Sequence, residues 1–196
     1  ISTSDHITTE EFFFSSKTYE NKPILFQKRK KNIRYSIDSW KGYFYIHTNE
    51  NARDYKILRC KVDQVTKLNV FVPEKKETVI GGLDFLDEYI LRGEKSDAIS
   101  RLYVRNIKTN KEEEIKISDE VIGVPSIGLM QRDTNTSKIR VGWESMATPN
   151  KVYEYDIVNK EKKLVKETEI PSGHDPKKYI VERIKAKSHD GRMIPI

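Results

Sequence analysis

The chain has 196 residues, of which 36% are hydrophobic and 34% are charged, and its mean hydropathy is −0.70. These values suit one sizeable core or two small domains with much exposed surface. The longest nearly apolar run, residues 121–130, contains Pro125 and two glycines and is too short to cross a membrane. The net charge is +6, but the dense basic cluster is confined to Lys28–Lys31, and Lys and Arg elsewhere alternate with Asp and Glu. We therefore predict neither a membrane nor a nucleic acid as a partner.

Short strand-like runs recur along the whole chain, and no window of a dozen residues keeps the apolar spacing of a helix. The runs are rich in β-branched and aromatic residues and are separated by Asn, Asp, Gly and Lys. In chain order they begin at Glu10 and Ile24; at Ile33, Gly42, Tyr55 and Leu68; at Thr78, Asp87, Ser100 and Glu113; and at Glu120, Ser137, Asn150 and Lys163. The last three groups contain four strands each, and their starts are 45 and 42 residues apart.

Four short strands in about 40 to 45 residues are the content and the period of a β-propeller blade. The repeat predicts an all-β fold, a partial β-propeller of about four blades, each a four-stranded antiparallel sheet. We expect the blades at residues 1–32, which would lack the first strand, and at 33–75, 78–117 and 120–170. The alternative fold is a β-sandwich made of ordinary hairpins. The regular spacing between the second and third strands of each repeat disfavours this alternative. The WD and kelch signatures do not repeat.

The chain ends in SHDGRMIPI, which predicts a β-hairpin turn at Asp190 and Gly191. Both turn positions would need φ > 0, and Gly supplies it without strain. Strand-like residues 179–187 lead into the turn, and only residues 192–196 lead out of it. The second strand is therefore short, and we expect the chain to be a piece of a longer protein.

Residues that could carry chemistry are scattered, and we predict no catalytic, cofactor-binding or metal-binding residue. No histidine has a His or Cys partner at metal-ligand spacing; the histidines are His6, His47, His174 and His189. The dipeptides at 174–175 and 189–190 pair His with Asp beside Pro or Gly, which is typical of turns. Ser126 does not form a nucleophile elbow, because Val124 stands where the G-x-S-x-G motif requires glycine. The single Cys60 excludes an intrachain disulfide.

Three stretches carry a family resemblance: RYSIDSWKGYFYIHTNENARDYKILR, GWESMATPNKVYEYDI and YIVERIKAKSHDGRMIPI. They are similar to the last part of the β-propeller of the prolyl oligopeptidase family, with oligopeptidase B, or protease II, as the closer branch. Ser145, Thr148 and Pro149 match the S-x-x-T-P loop of the family's final blade, as a structural turn or as a substrate contact. The segment at Asp190 and Gly191 resembles the first hairpin of the family's hydrolase domain.

The resemblance implies a seven-bladed propeller that covers an α/β-hydrolase domain with a Ser-Asp-His triad. Such proteins are cytoplasmic peptidases of short peptides, and the oligopeptidase B branch cleaves after basic residues. Residues 1–170 would then be propeller, 171–178 a hinge and 179–196 the start of the absent hydrolase domain. The chain alone would be inactive, its partners would be that hydrolase domain and short peptides, and the propeller would restrict access to the active site.

Two expectations about assembly follow from a partial propeller. Each blade buries its faces against two neighbours, so the outer blades at 1–32 and 120–170 would expose apolar faces. The chain would then either self-associate through these blades or close into a smaller ring. A free-standing propeller-like module that binds proteins is the alternative function, and the short second strand of the C-terminal hairpin argues against it.

Overall fold

The computed structural model describes residues 1–14, 22–118, 123–127 and 133–196. Within these ranges the protein consists of β-strands and one 3-10 helix, Pro176–Lys178. The strands are β1 Ser2–Ser4, β2 Thr9–Phe13, β3 Ile24–Leu25, β4 Tyr35–Trp40, β5 Tyr43–Thr48, β6 Lys56–Lys61, β7 Asn69–Val72, β8 Thr78–Phe85, β9 Tyr89–Ser96, β10 Ile99–Asn106, β11 Glu112–Ile115, β12 Val124–Ile127, β13 Lys138–Glu144, β14 Lys151–Asp156, β15 Glu161–Glu167, β16 Lys185–Lys187 and β17 Met193–Pro195. The predicted all-β class is confirmed. No helix of the described ranges is long and apolar enough to span a bilayer.

Consecutive strands pair with one another, so that every sheet follows the order of the chain. Strands β4–β7, β8–β11 and β12–β15 form four-stranded sheets, β1–β3 form a three-stranded sheet, and β16 pairs with β17. Neighbouring strands within these sheets are antiparallel, as the hairpin-like spacing predicts. The chain divides into two compact units, Ile1–Gly82 and Leu83–Ile196, with the boundary inside β8.

The first sheet requires one correction. The sequence predicted no strand before Thr9, yet β1 pairs with β2, with Ser2 opposite Glu11 and Ser4 opposite Thr9. The residues of β1 are all exposed and have no apolar alternation, which is the signal that predicts a strand. Residues 15–19 of the strand predicted from Glu10 lie outside the described residues, as do the first residues of the strand predicted from Glu120.

Aromatic side chains form much of the core of the first unit. The Phe13 and Phe44 ring centroids lie 4.9 Å apart, and such pairs add about 0.5–1.5 kcal/mol to the area they bury. The buried Tyr35 hydroxyl donates to the Gln27 carbonyl at 2.7 Å and accepts from the Glu11 amide at 3.0 Å. This hydroxyl therefore joins β2 and the segment after β3 to the β4–β7 sheet. The thiol of Cys60 is buried in the same cluster.

In the second unit, the sheets β8–β11 and β12–β15 bury a shared apolar core. Leu91, Ile139 and Val141 have no exposed surface. Trp143 belongs to this core, and its indole ring lies directly against Gly123. A β-carbon at position 123 would overlap the ring. Glycine at this position is thus required by a close approach of side chain to backbone.

The C-terminal hairpin forms as predicted, but with a different turn. Gly191 has a φ of 84°, whereas Asp190 is not left-handed, so the two-residue turn with φ > 0 at both positions is wrong. Ser188 accepts a hydrogen bond from Gly191 N at 2.9 Å and donates one to the Arg192 carbonyl at 2.7 Å. This is a three-residue loop in which glycine takes the left-handed position. The Asp190 side chain instead accepts from Arg192 N at 3.1 Å, a local bond that stabilises the alternative loop.

The contact between Gly123 and Trp143 gives a first prediction. We expect Gly123→Ala to lower the free energy of unfolding by about 1–3 kcal/mol, because the added methyl group overpacks the core. Urea unfolding followed by tryptophan fluorescence measures the change. Gly82→Ala is the matched control, since a β-carbon at Gly82 meets no atom within 4 Å. Equal losses in the two variants would contradict the prediction.

His47 on β5 links the β4–β7 sheet to β8. Its Nε2–H donates to the Ile80 carbonyl at 2.7 Å, and its ring stacks on Tyr55 with centroids 4.5 Å apart. Burial lowers the pKa of His47, because the imidazolium would lose its hydration. An unfolded histidine has a pKa of about 6.5. The unfolded chain therefore binds more protons than the folded one as the pH falls through this value, which lowers stability.

We accordingly predict that stability decreases between about pH 7.5 and about pH 5.5, and that His47→Gln removes part of this decrease. The amide of Gln can still donate to the Ile80 carbonyl but does not titrate. Urea unfolding at both pH values measures the slope. His189→Gln, which changes an exposed histidine, is the control. If His47→Gln kept the wild-type slope, the burial of His47 would not be its cause.

Candidate functional site

The S-x-x-T-P loop connects β13 to β14 and is closed by hydrogen bonds at Ser145. Its Oγ accepts from the backbone N–H groups of Ala147 at 3.2 Å and Thr148 at 2.9 Å. Its own N–H donates to the Thr148 carbonyl at 3.0 Å. A short hydroxyl side chain reaches amides two and three residues along the chain, which is why serine in this position folds the backbone back on itself.

The loop turns two of its side chains inward and one outward. Ala147 and Thr148 are buried, with 8% and 6% of their surface exposed, whereas Met146 is 90% exposed. Met146 is therefore the large side chain that the loop presents to solvent. The sequence pattern singled out Thr148 and not Met146, because a motif shows which residue types recur and not which of them faces outward.

His174 holds the same loop from the following segment. Its Nε2–H donates to the Ala147 carbonyl at 2.6 Å, and its ring stacks on Tyr179 with centroids 5.2 Å apart. Asp175 caps the 3-10 helix by accepting from Lys177 N at 3.1 Å. The turn interpretation of the dipeptide is thus confirmed for Asp175. The bond from His174 to the loop was not predicted, since the two partners are 27 residues apart and no local pattern connects them.

Pro149 and His174 line one groove of about 510 Å³. Its other lining residues come from the end of β15 and the segment behind it, Glu167, Thr168, Glu169, Ile170 and Pro176. Glu167 is paired with Lys151 at 3.1 Å, and the Thr168 N–H donates to the Asn150 carbonyl at 2.9 Å. The three motif residues therefore belong to one local structure: Ser145 and Thr148 close the loop, and Pro149 forms a wall of the groove.

The structure places Ser126 on β12, exposed and opposite Gly142. A β-carbon at Gly142 would meet the Ser126 hydroxyl, so glycine leaves room for this side chain in the sheet. His6 and His189 are exposed, and His47 and His174 bind backbone carbonyls. Residues 1–14, 22–118, 123–127 and 133–196 contain no group of three His, Cys, Asp or Glu side chains that could hold a metal ion.

The sequence matches the family model for the prolyl oligopeptidase N-terminal β-propeller domain over residues 1–168. Dipeptidyl aminopeptidase BI of Pseudoxanthomonas mexicana is 27% identical over 173 residues, which cover 86% of this chain and 23% of the relative. Protease 2 of Moraxella lacunata is 21% identical over 191 residues, which cover 96% and 27%. The chain thus spans about a quarter of the length of these relatives.

Solved structures match over nearly the whole chain. Oligopeptidase B from Leishmania major has a TM-score of 0.87 at 20% identity, covering 99% of this chain and 29% of that one. Oligopeptidase B from Trypanosoma brucei with covalently bound antipain has a TM-score of 0.86 at 21% identity, covering 96% and 28%. At these identities the similarity shows the fold, and the predicted partial β-propeller is confirmed.

The hydrogen bonds of Ser145 give a prediction for the loop. Ser145→Ala should cost about 1–2 kcal/mol of stability, because two backbone N–H groups lose their acceptor. Hydrogen exchange at the Ala147 and Thr148 amides should accelerate as well. Ser145→Thr, which keeps the hydroxyl, serves as the control and should behave like the wild type. Unchanged exchange in Ser145→Ala would show that the hydroxyl does not hold the loop.

Proposed function

Because the chain belongs to the prolyl oligopeptidase family, as its N-terminal β-propeller domain, we propose that it is the non-catalytic propeller part of a serine oligopeptidase. The complete protein cleaves short peptides, and the propeller restricts access to the active site. The observation that carries this proposal is the family match over residues 1–168, a range that contains all three four-stranded sheets of the described residues.

We assign residues 1–32, 33–75, 78–117 and 120–170 to successive blades, 171–178 to a hinge and 179–196 to the start of the hydrolase domain. The separate pairing of β16 with β17 supports the last assignment. Ile180, Ile184 and Ile196 are largely exposed, as expected of side chains that belong to the core of another domain. On this assignment the hydrolase domain of the same protein is the main partner.

We propose that the peptides are cleaved after basic residues. The fold similarity to two oligopeptidases B supports this branch. The groove beside the hinge also presents the exposed carboxylate of Glu169, and negative charge there would favour the approach of a cationic peptide.

The cytoplasm is the compartment we propose for this protein. The observation that supports it is the free, buried thiol of Cys60, which is compatible with a reducing compartment. Self-association through the apolar faces of the outer blades is a separate proposal, supported by the need of each blade to cover its faces with neighbours. Light scattering over a concentration series tests it, and one mass at all concentrations would argue against it.

The purified chain should show no peptidase activity of its own, since the triad that the family uses would lie in the hydrolase domain. A chromogenic peptide with a basic residue before the scissile bond is the substrate for this measurement. Turnover that survives repurification and is blocked by a serine-reactive reagent would overturn the proposal. A matched sample pretreated with that reagent gives the background rate of turnover.

Sequencing the gene beyond the codon for Ile196 tests the positive part of the proposal. A G-x-S-x-G motif is expected within about 300 residues, the size range of a single large domain. A free-standing binding module would instead reach a stop codon soon after the hairpin. The two results separate the peptidase from the binding module without any assay of activity.

A further inference from the structure

The turn between β9 and β10 is built from two residues that seldom occupy such a position. Asp97 and Ala98 have φ values of 50° and 63°, the left-handed region that a β-carbon disfavours. A two-residue hairpin turn of this type usually contains Asn-Gly or Asp-Gly. Ala98 therefore holds a strained conformation, and the Asp97 side chain projects from a turn whose backbone is fixed on both sides by strand pairing from Ser96 and Ile99.

The carboxylate of Asp97 forms ion pairs with two cations near the start of β16. One Oδ atom contacts Nη2 of Arg183, and the same oxygen lies 3.5 Å from Nζ of Lys185. Arg183 and, more weakly, Lys185 hold the pKa of Asp97 below its usual range, so the carboxylate is charged at neutral pH. The two cations are two residues apart in an extended segment and so share one face of it.

Arg183 depends on this contact more than an ordinary surface arginine would. Its side chain is only 20% exposed. Its Nε and Nη2 atoms are buried and, within the described residues, have no hydrogen-bond partner that would replace the ion pair. A buried guanidinium that loses its counter-ion is costly, so the pair resists separation while the carboxylate is present.

Residues 168–196, the exit segment, follow the last propeller strand. The segment is bound near its start by the Thr168 N–H and the His174 ring, both of which bond to the loop region at 147–150. Farther on, β16 and β17 pair with each other and with no other strand of the described residues. Ile184 and Ile196 exchange backbone hydrogen bonds of 3.3 and 2.9 Å that close this small sheet. The ion pairs of Asp97 thus connect a self-contained hairpin to the β8–β11 sheet.

We propose that Asp97 is an electrostatic anchor that docks the distal half of the exit segment, residues 179–196, on the β8–β11 sheet. With the anchor in place, the β16–β17 hairpin stays beside the sheet; without it, the hairpin opens away from the sheet several times more often while the sheets remain folded. The position of the hairpin is then determined by the ion pairs of Asp97 rather than by strand pairing with the sheet. This inference does not depend on the peptidase proposal.

Hydrogen exchange of the full chain with Asp97→Asn tests the anchor. Asparagine keeps the size of the side chain and tolerates the left-handed region, so the turn itself is preserved. At low ionic strength, exchange in residues 183–196 should be about two- to fivefold faster than in the wild type, the range expected from loss of a partly exposed ion pair. In about 0.5 M NaCl the wild type should approach the variant, because salt screens exposed charges. Exchange in β9 and β10 should not change.

Glu88→Gln is the matched control. It removes the exposed ion pair of Glu88 with Lys108, at the other end of the same two strands, and should leave residues 183–196 unaffected. Asp97→Arg should accelerate exchange further, and its combination with Arg183→Asp should restore protection. The anchor would be ruled out if Asp97→Asn behaved like Glu88→Gln, if faster exchange spread into β9 and β10, or if the exchanged charges gave no recovery.

Discussion

Burial of one sheet against the next is the interaction on which the rest of this structure depends. A four-stranded sheet alternates its side chains between two faces, and its own strands cannot cover either face. In the second unit this cover comes from the neighbouring sheet, where Leu91 of β9 and Val141 of β13 are excluded from water. Burial of each such side chain contributes about 1.5–3 kcal/mol. This packing already holds the strands in place, so the loops only have to connect them. The side chains of the loops are therefore available for other contacts.

The edges of the sheets are protected in a different way. Every residue of β15 is exposed, including Leu164 and Val165. The strand also carries Lys162, Lys163 and Lys166, and lysine on an edge strand opposes pairing with another chain. Association through this edge is therefore disfavoured.

The strands and their order could be predicted from the sequence, because period-two alternation and turn residues are local signals. β5, β9 and β13 lie where the repeat placed them, since each carries an apolar face that the pattern records. β1 could not be predicted, because Ser-Thr-Ser is exposed throughout and has no apolar face that a strand pattern would record. The turn at Asp190 was assigned wrongly, since a dipeptide does not reveal whether the loop contains two residues or three.

The candidate site was predictable only in part, for a related reason. The motif located Ser145, Thr148 and Pro149, which are close in sequence and form one turn. The contacts of His174 with Ala147 and of Arg183 with Asp97 join residues far apart in the chain. Such pairs form only because the fold brings distant parts of the chain together. The sequence around one residue therefore does not indicate which distant residue it contacts.

The location of the single thiol has a practical consequence. Cys60 lies in the core of the first unit, and residues 83–196 contain no cysteine. A thiol reagent added to the native protein can react with Cys60 only when that core opens. The reaction rate therefore measures local opening of the first unit without any engineered label. Comparison of this rate with the unfolding rate of the whole protein would then show whether the two units unfold together or one after the other.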